Sequence, residues 1–317
     1  MADTGNHDGM VWLAGGEFRM GSDHHYREES PAHDVSVAGF WMDEHPVTNR
    51  QFAEFVKATG YVTIAEIAPL ADDYPGAKPE MLRPASLVFT PTDRPVQLDD
   101  WSQWWCYEFG ADWRHPTGPE SGLDGLEDHP VVHVAWADVN AYADWVGKDL
   151  PTEAEWEYAA KGGSTGEFVW GDELVPNGKH MANTWQGEFP YRNSLEDGFL
   201  RTSPVGSFPA NGFGLVDMIG NVWEWTSNWY SNGHSVEAVK PCCSPASPRG
   251  ASIEGSYDPN LPDIRIPRKV VKGGSHLCAP SYCRRYRAAA RHAQAIDSSM
   301  SHLGFRCVVR KPSSSQG

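Results

Sequence analysis

From Gly162 to the C-terminus, Gly, Pro, Asn and Asp recur every few residues, which leaves no room for a long helix or a long strand in the second half of the chain. Roughly half of the protein must therefore be ordered loop. Buried loop backbone needs hydrogen-bond partners or ions for its amides and carbonyls, so metal ions are expected as anchors. The 14 tryptophans constrain the chain further: rings of that size either fill irregular gaps in a core or line clefts. A helical bundle is excluded.

Regular structure is legible mainly in the first half. Thr48 and Gln51 form a capping box, Phe52, Phe55 and Val56 then share one helical face, and Gly60 ends the segment. Thr152 and Glu155 repeat the device for a helix that carries Trp156 and Ala160 until Gly162 and Gly163 stop it. Between these, Val139, Ala143 and Val146 keep helical spacing up to Gly147. Short strands are predicted at Val11–Leu13, Val35–Trp41 and Val131–Trp136, where β-branched and aromatic residues cluster. No repeat is present. The expectation is one loop-rich α+β domain over residues 1–310 and a frayed Ser-rich tail over 311–317.

Charge narrows the function. Lys and Arg total 26 against 42 Asp and Glu, a net charge of −16, so a nucleic-acid backbone is repelled. No apolar run approaches membrane-spanning length, and residues 1–30 hold acids in place of the apolar stretch of a secretory signal. The six cysteines, Cys106, Cys242, Cys243, Cys278, Cys283 and Cys307, are too sparse for a disulfide scaffold, and a reducing cytoplasm is the expected location.

A series of motifs spans the chain: Gly15-Gly16-Glu17-Phe18, Pro46-Val47-Thr48-Asn49, His129-Pro130-Val131-Val132-His133-Val134, Leu150-Pro151-Thr152-Glu153-Ala154-Glu155-Trp156, Gly220-Asn221-Val222-Trp223-Glu224-Trp225 and Gly304-Phe305-Arg306-Cys307. In this order and spacing they resemble the formylglycine-generating, sulfatase-modifying factor family. The resemblance implies a loop-rich mixed fold related to C-type lectins. The stretch from Gly273 to Arg287, with Cys278 and Cys283, is similar to the family's active-site segment.

That similarity implies a copper-dependent oxidase. Copper(I) is soft, favours thiolate ligands and tolerates low coordination, so Cys278 and Cys283 on a short loop suit it. By resemblance the two thiolates hold copper(I), a cysteine in a Cys-x-Pro-x-Arg segment of a sulfatase-type protein joins as third ligand, and dioxygen with a reductant converts it to Cα-formylglycine. Arg284, Arg285 or Arg287 would lower the thiol pKa values if any faced the site. A structural disulfide, inert core thiols, or a zinc site shared with Cys242 and Cys243 are the competing readings of the pair.

Further roles come from the same resemblance. Ser275 and Tyr282 line the site, although a serine after Gly274 also suits a turn. Trp104 and Trp105 are placed either in the peptide groove or in the core. His302 stands where better-studied members carry Asn against the substrate; it either hydrogen-bonds the peptide, lies near copper, or packs as a neutral ring. The disulfide cysteines of secreted members are replaced by Ala143, Ala160 and Ala288, leaving Cys307 as an expected buried thiol.

Two calcium sites are implied. The first uses Asp217, the carbonyls of Gly220 and Val222, and Glu224; the second uses Asn183, the Thr184 carbonyl, Asp197 and the Phe199 carbonyl. Simple turn capping by these acids is the plainer reading. Two other functions compete: a lectin-like or peptide-binding module without catalysis, and an iron-dependent sulfoxide synthase. The second is disfavoured, because His129 and His133 have the spacing of its iron triad but Ala135 occupies the carboxylate position.

Overall fold

Eleven residues from Asn49 form the first helix, α1 (Asn49–Thr59), for the reasons the sequence gives. The Thr48 hydroxyl accepts from the Gln51 amide, the Gln51 side chain accepts from the Thr48 amide, and Gly60 closes the helix in the left-handed conformation. A cap of this kind contributes about 1 kcal/mol. Helix α2 (Trp136–Val146) ends at left-handed Gly147, and α3 (Glu153–Lys161) begins on the Thr152–Glu155 box and ends at Gly162. Phe52, Phe55, Val56, Val139, Ala143, Trp156 and Ala160 are all buried.

The computed structural model describes residues 7–234 and 250–311. Cys242, Cys243 and residues 312–317 of the expected tail lie outside the described residues. Among the described residues the strands are short: β1 (Met10–Leu13), β2 (Gly16–Met20), β3 (His33–Val37), β4 (Phe40–Asp43), β5 (Ala85–Phe89), β6 (Trp105–Phe109), β7 (Gly187–Glu188), β8 (Arg192–Asn193), β9 (Trp223–Trp229), β10 (Arg268–Lys272), β11 (Arg291–Ala295), β12 (Leu303–Gly304) and β13 (Val308–Arg310). One sheet runs β1-β4-β13 and another β11-β10-β9-β12; β2-β3, β5-β6 and β7-β8 are antiparallel pairs. The α+β, loop-rich expectation holds.

Two strand predictions need correction. Val35–Trp41 is not one strand but the end of β3 and the start of β4, which enter different sheets on either side of Ala38 and Gly39. Val131–Trp136 is not a strand at all. His133 turns through a φ of 61°, and Trp136 is the first residue of α2. The run is apolar because it is buried between loops, its amides donating to the carbonyls of Val47 and Met300; an apolar pattern reports burial and does not by itself specify a ladder. The His133 ring lies between Ser86 Oγ (2.6 Å) and the Pro116 carbonyl (2.9 Å), so it is not available to join His129 on iron.

The main apolar core packs all three helices against the longer sheets and contains Ala143, Ala160, Ala288 and Cys307. Cys307 is a free, buried thiol, as expected from its lost partners, and burial pushes its pKa well up. In the native protein a maleimide is expected to modify exposed Cys106 readily and Cys307 only after denaturation, as read by peptide mass spectrometry. Equal rates would contradict this packing.

A buried ion pair ties the core to the loops. Arg306 donates from Nε and Nη2 to the two oxygens of Glu224 (both 2.8 Å) and also reaches the carbonyls of Asp43, Glu44 and Val216. Trp156 Nε1 donates to the same carboxylate at 2.8 Å. No helix of the described residues is long and apolar enough to cross a membrane.

Candidate active site: a thiol pair in an aromatic cleft

Strand β10 delivers the chain to Gly273 and Gly274, whose φ values are 95° and 72°. A Cβ at Gly273 would sit 2.9 Å from the Met218 carbonyl oxygen, and one at Gly274 would sit 2.8 Å from that of Arg285. Only glycine fits both the dihedral and the space. The chain then folds back on itself: the Cys278 amide donates to the Ser275 carbonyl, and the amides of Tyr282 and Cys283 both donate to the Ala279 carbonyl. This turn brings the Cys278 and Cys283 sulfurs to 2.9 Å from each other.

Packing fixes the turn from two sides. Cys278 belongs to the main core, whereas its neighbours Leu277 and Ala279 belong to a second cluster with Phe89, Trp104, Trp185 and Phe189. The Trp185 amide donates to the Cys278 carbonyl at 3.0 Å. Both cysteines are free, Cys278 buried and Cys283 half-buried, so the structural-disulfide reading does not describe this pair.

The sulfurs open into a cleft of about 370 Å³. Its lining includes Ser275, Tyr282, His302, Trp104 and Trp105, so every residue assigned to the reaction or the peptide by resemblance is gathered there. Tyr282 stacks on Phe189 with ring centroids 4.4 Å apart and meets Trp104 edge-on. Trp105 meets the His302 ring edge-on at 4.8 Å. The two alternatives for Trp104 merge, since it is fully buried in the second core and also forms the cleft wall. Sequence reasoning missed Trp101, Phe189, Trp223, His292 and Gln294, which share the lining. A larger hollow of about 900 Å³ lies over Arg287–Ala289, but it has no thiol among its lining residues, and volume alone does not make it reactive.

The electrostatics favour one thiolate over two. A hydrogen bond shared with Cys278 lowers the Cys283 pKa, assisted by the charge of Arg285, while burial holds Cys278 well up. Of the three arginines, Arg285 reaches the cleft, and its guanidinium is paired with Glu28. Arg284 is paired with Glu167 and Arg287 with buried Glu29. His302 Nδ1 lies 3.2 Å from Ser275 Oγ, which also accepts from the Leu277 amide. The hydroxyl and the ring thus share one hydrogen bond, whose direction follows the ring's tautomer. Burial lowers the His302 pKa well below the usual imidazole value, so the ring is neutral.

A family model described as the sulfatase-modifying factor enzyme 1-like domain matches residues 1–311. The chain belongs to that family. Within the sulfatase-modifying factor family it is 53% identical over 301 residues to a formylglycine-generating enzyme of Mycobacterium tuberculosis, covering 95% of this chain and 97% of the relative. It is 44% identical over 304 residues to the enzyme of the same name from Mus musculus, covering 95% and 74%. Among solved structures, PvdO from Pseudomonas aeruginosa superposes with a TM-score of 0.63 at 25% identity, covering 95% and 94%.

Members of the sulfatase-modifying factor family were expected to carry two calcium ions, and the two oxygen sets differ here. In the second set the buried Asn183 Oδ1 has no hydrogen-bond partner, the kind of orphaned oxygen that an ion satisfies. Asp197 accepts from the amides of Thr184 (3.2 Å) and Phe199 (3.0 Å), and the Gln186 amide lies against both Asp197 and the Thr184 carbonyl. Those contacts are turn capping, and they bring Asp197 beside Thr184 and Phe199. In the first set Glu224 is already balanced by Arg306, and Asp217 accepts from the Gly206 amide at 2.7 Å while burial raises its pKa to about 6. Among the described residues, no group of three or more His, Cys, Asp or Glu side chains gathers to hold a metal.

Proposed function

We propose that this protein converts a cysteine of a sulfatase-type protein into Cα-formylglycine, with copper(I) held by Cys278 and Cys283, dioxygen as oxidant and a thiol as reductant. The observation that carries the reading is the pair of free sulfurs 2.9 Å apart at the floor of an open aromatic cleft. Soft, adjacent donors with no third His, Cys, Asp or Glu gathered beside them among the described residues suit a low-coordinate monovalent ion and leave a position for a substrate thiol. The names of the relatives at 53% and 44% identity support the same product.

The atoms balance. The substrate CH2–SH becomes an aldehyde, its sulfur leaves as hydrogen sulfide, one oxygen atom enters the aldehyde and the other leaves as water, and two reductant thiols become a disulfide. When bound, copper supplies the activation of dioxygen and the site where the substrate sulfur is held. The protein contributes the rest. Phe189, Tyr282, Trp104 and Trp105 exclude water from the sulfurs and flank an extended peptide. Ser275 holds the neutral His302 ring at the cleft wall, where it offers a hydrogen-bonding group to the peptide.

The test incubates the protein with copper(I), a thiol, oxygen and a Cys-x-Pro-x-Arg peptide and looks by mass spectrometry for the aldehyde. Conversion that persists in a strict copper chelator, or no conversion at all, would remove the reading.

The second oxygen set supports a structural calcium ion on Asn183, Thr184, Asp197 and Phe199. At a hundredfold excess over Kd, such an ion contributes about 2.7 kcal/mol. Chelation is expected to lower Tm by roughly 4 °C, and Asp197→Ala to abolish that calcium response. A calcium-dependent Tm shift that survives Asp197→Ala would place the ion elsewhere.

A further inference from the structure

Strand β11 is the outermost strand of its sheet, and successive side chains on it point to opposite faces. His292 and Gln294, two positions apart, therefore share a face, and both line the cleft that contains the thiols. His292 pairs across the ladder with Val271 and is exposed to the hollow. Its ring leans on Trp223 with centroids 5.8 Å apart, which fixes its direction, yet among the described residues neither of its nitrogens nor the Gln294 amide has a hydrogen-bond partner. Both side chains face the cleft with polar atoms open to whatever enters it.

We propose that His292 and Gln294 form a hydrogen-bonding rim that grips the main chain of the substrate peptide alongside the reacting cysteine. This rests on the proposed conversion of a peptide cysteine. Residues two apart on a strand lie about 6.5–7 Å apart, the repeat at which an extended peptide presents equivalent main-chain groups on one side. A neutral imidazole offers one donor and one acceptor and a primary amide two N–H donors and a carbonyl acceptor, so they match backbone amides and carbonyls with little regard to side-chain identity. Aromatic walls on the Trp105 and Tyr282 side and polar groups on the β11 side would thus take the two edges of one extended segment.

Steady-state kinetics with the full chain and a cysteine-containing peptide test this, alongside fluorescence anisotropy with the same peptide carrying Ser at the reacting position. His292→Ala and Gln294→Ala are each expected to raise KM and weaken binding of the Ser peptide about fivefold, with kcat within about twofold of the parent. His292→Gln should recover most of the loss, and Tm should not move, because neither side chain is hydrogen-bonded within the fold. Unchanged KM and binding in both alanine variants, with the parent still active, would overturn the inference and leave the proposed function standing. A fall in kcat without loss of peptide affinity would also overturn it. A parent protein that neither binds nor converts the peptide would remove both.

Discussion

Cys278→Ser and Cys283→Ser are each expected to lower turnover of a cysteine peptide by at least about a thousandfold, and the double variant is expected to be no slower than either single one. The sulfurs are 2.9 Å apart and, in the proposed function, serve one ion, so removing either would leave a lone thiolate that cannot hold it. Groups that act as a unit lose their effect together. Serine is nearly isosteric, and the turn is held by backbone bonds to Ser275, Ala279 and Trp185, so Tm should move little. Copper(I) binding, followed by competition with a chromogenic chelator, should fall in parallel with activity. A single variant that keeps a tenth of the parent rate would show that the two sulfurs do not work jointly.

Arg306→Ala is expected to be the most damaging single change to the fold, costing about 3–5 kcal/mol, because it strips the partner from a carboxylate that stays buried. Glu224 would keep only the Trp156 indole, and the carbonyls of Asp43, Glu44 and Val216 would lose their donor. For a chain of this size that corresponds to a Tm fall of roughly 5–8 °C. Charge linkage sharpens the test: Arg306→Met with Glu224→Gln should be less destabilised than Arg306→Ala alone, since no uncompensated charge remains. Additive losses in thermal denaturation would mean that the pair is weaker than its burial implies.

The parts of this molecule that could be read in advance were those with local causes. Capping boxes at Thr48 and Thr152 and glycines 60, 147 and 162 fixed three helices within a residue or two of where they lie. The thiol pair was visible because both cysteines sit in one short turn flanked by Gly273 and Gly274. What stayed hidden was assembled from distant segments. Val131–Trp136 reads as a strand until the Met300 and Val47 carbonyls are seen to take its amides. His292 and Gln294 carry no local signature; they matter only because β10 holds their strand beside the turn that carries Cys278 and Cys283. Phe189 reaches Tyr282 from a loop almost a hundred residues away, a distance no periodicity bridges.

The amide of Trp185 is one residue along from Thr184, whose carbonyl belongs to the oxygen-rich loop, and it is bonded directly to the carbonyl of Cys278. Strain in that loop has a path of one peptide unit to the reactive sulfur. A change of ionic conditions, or a substitution well outside the cleft at Asn183 or Asp197, would then retune how firmly the sulfur is positioned while leaving every atom of the cleft wall in its own chemistry. Cys278 is thus seated by a peptide bond that belongs to the neighbouring loop, and variants there test its position without touching either cysteine.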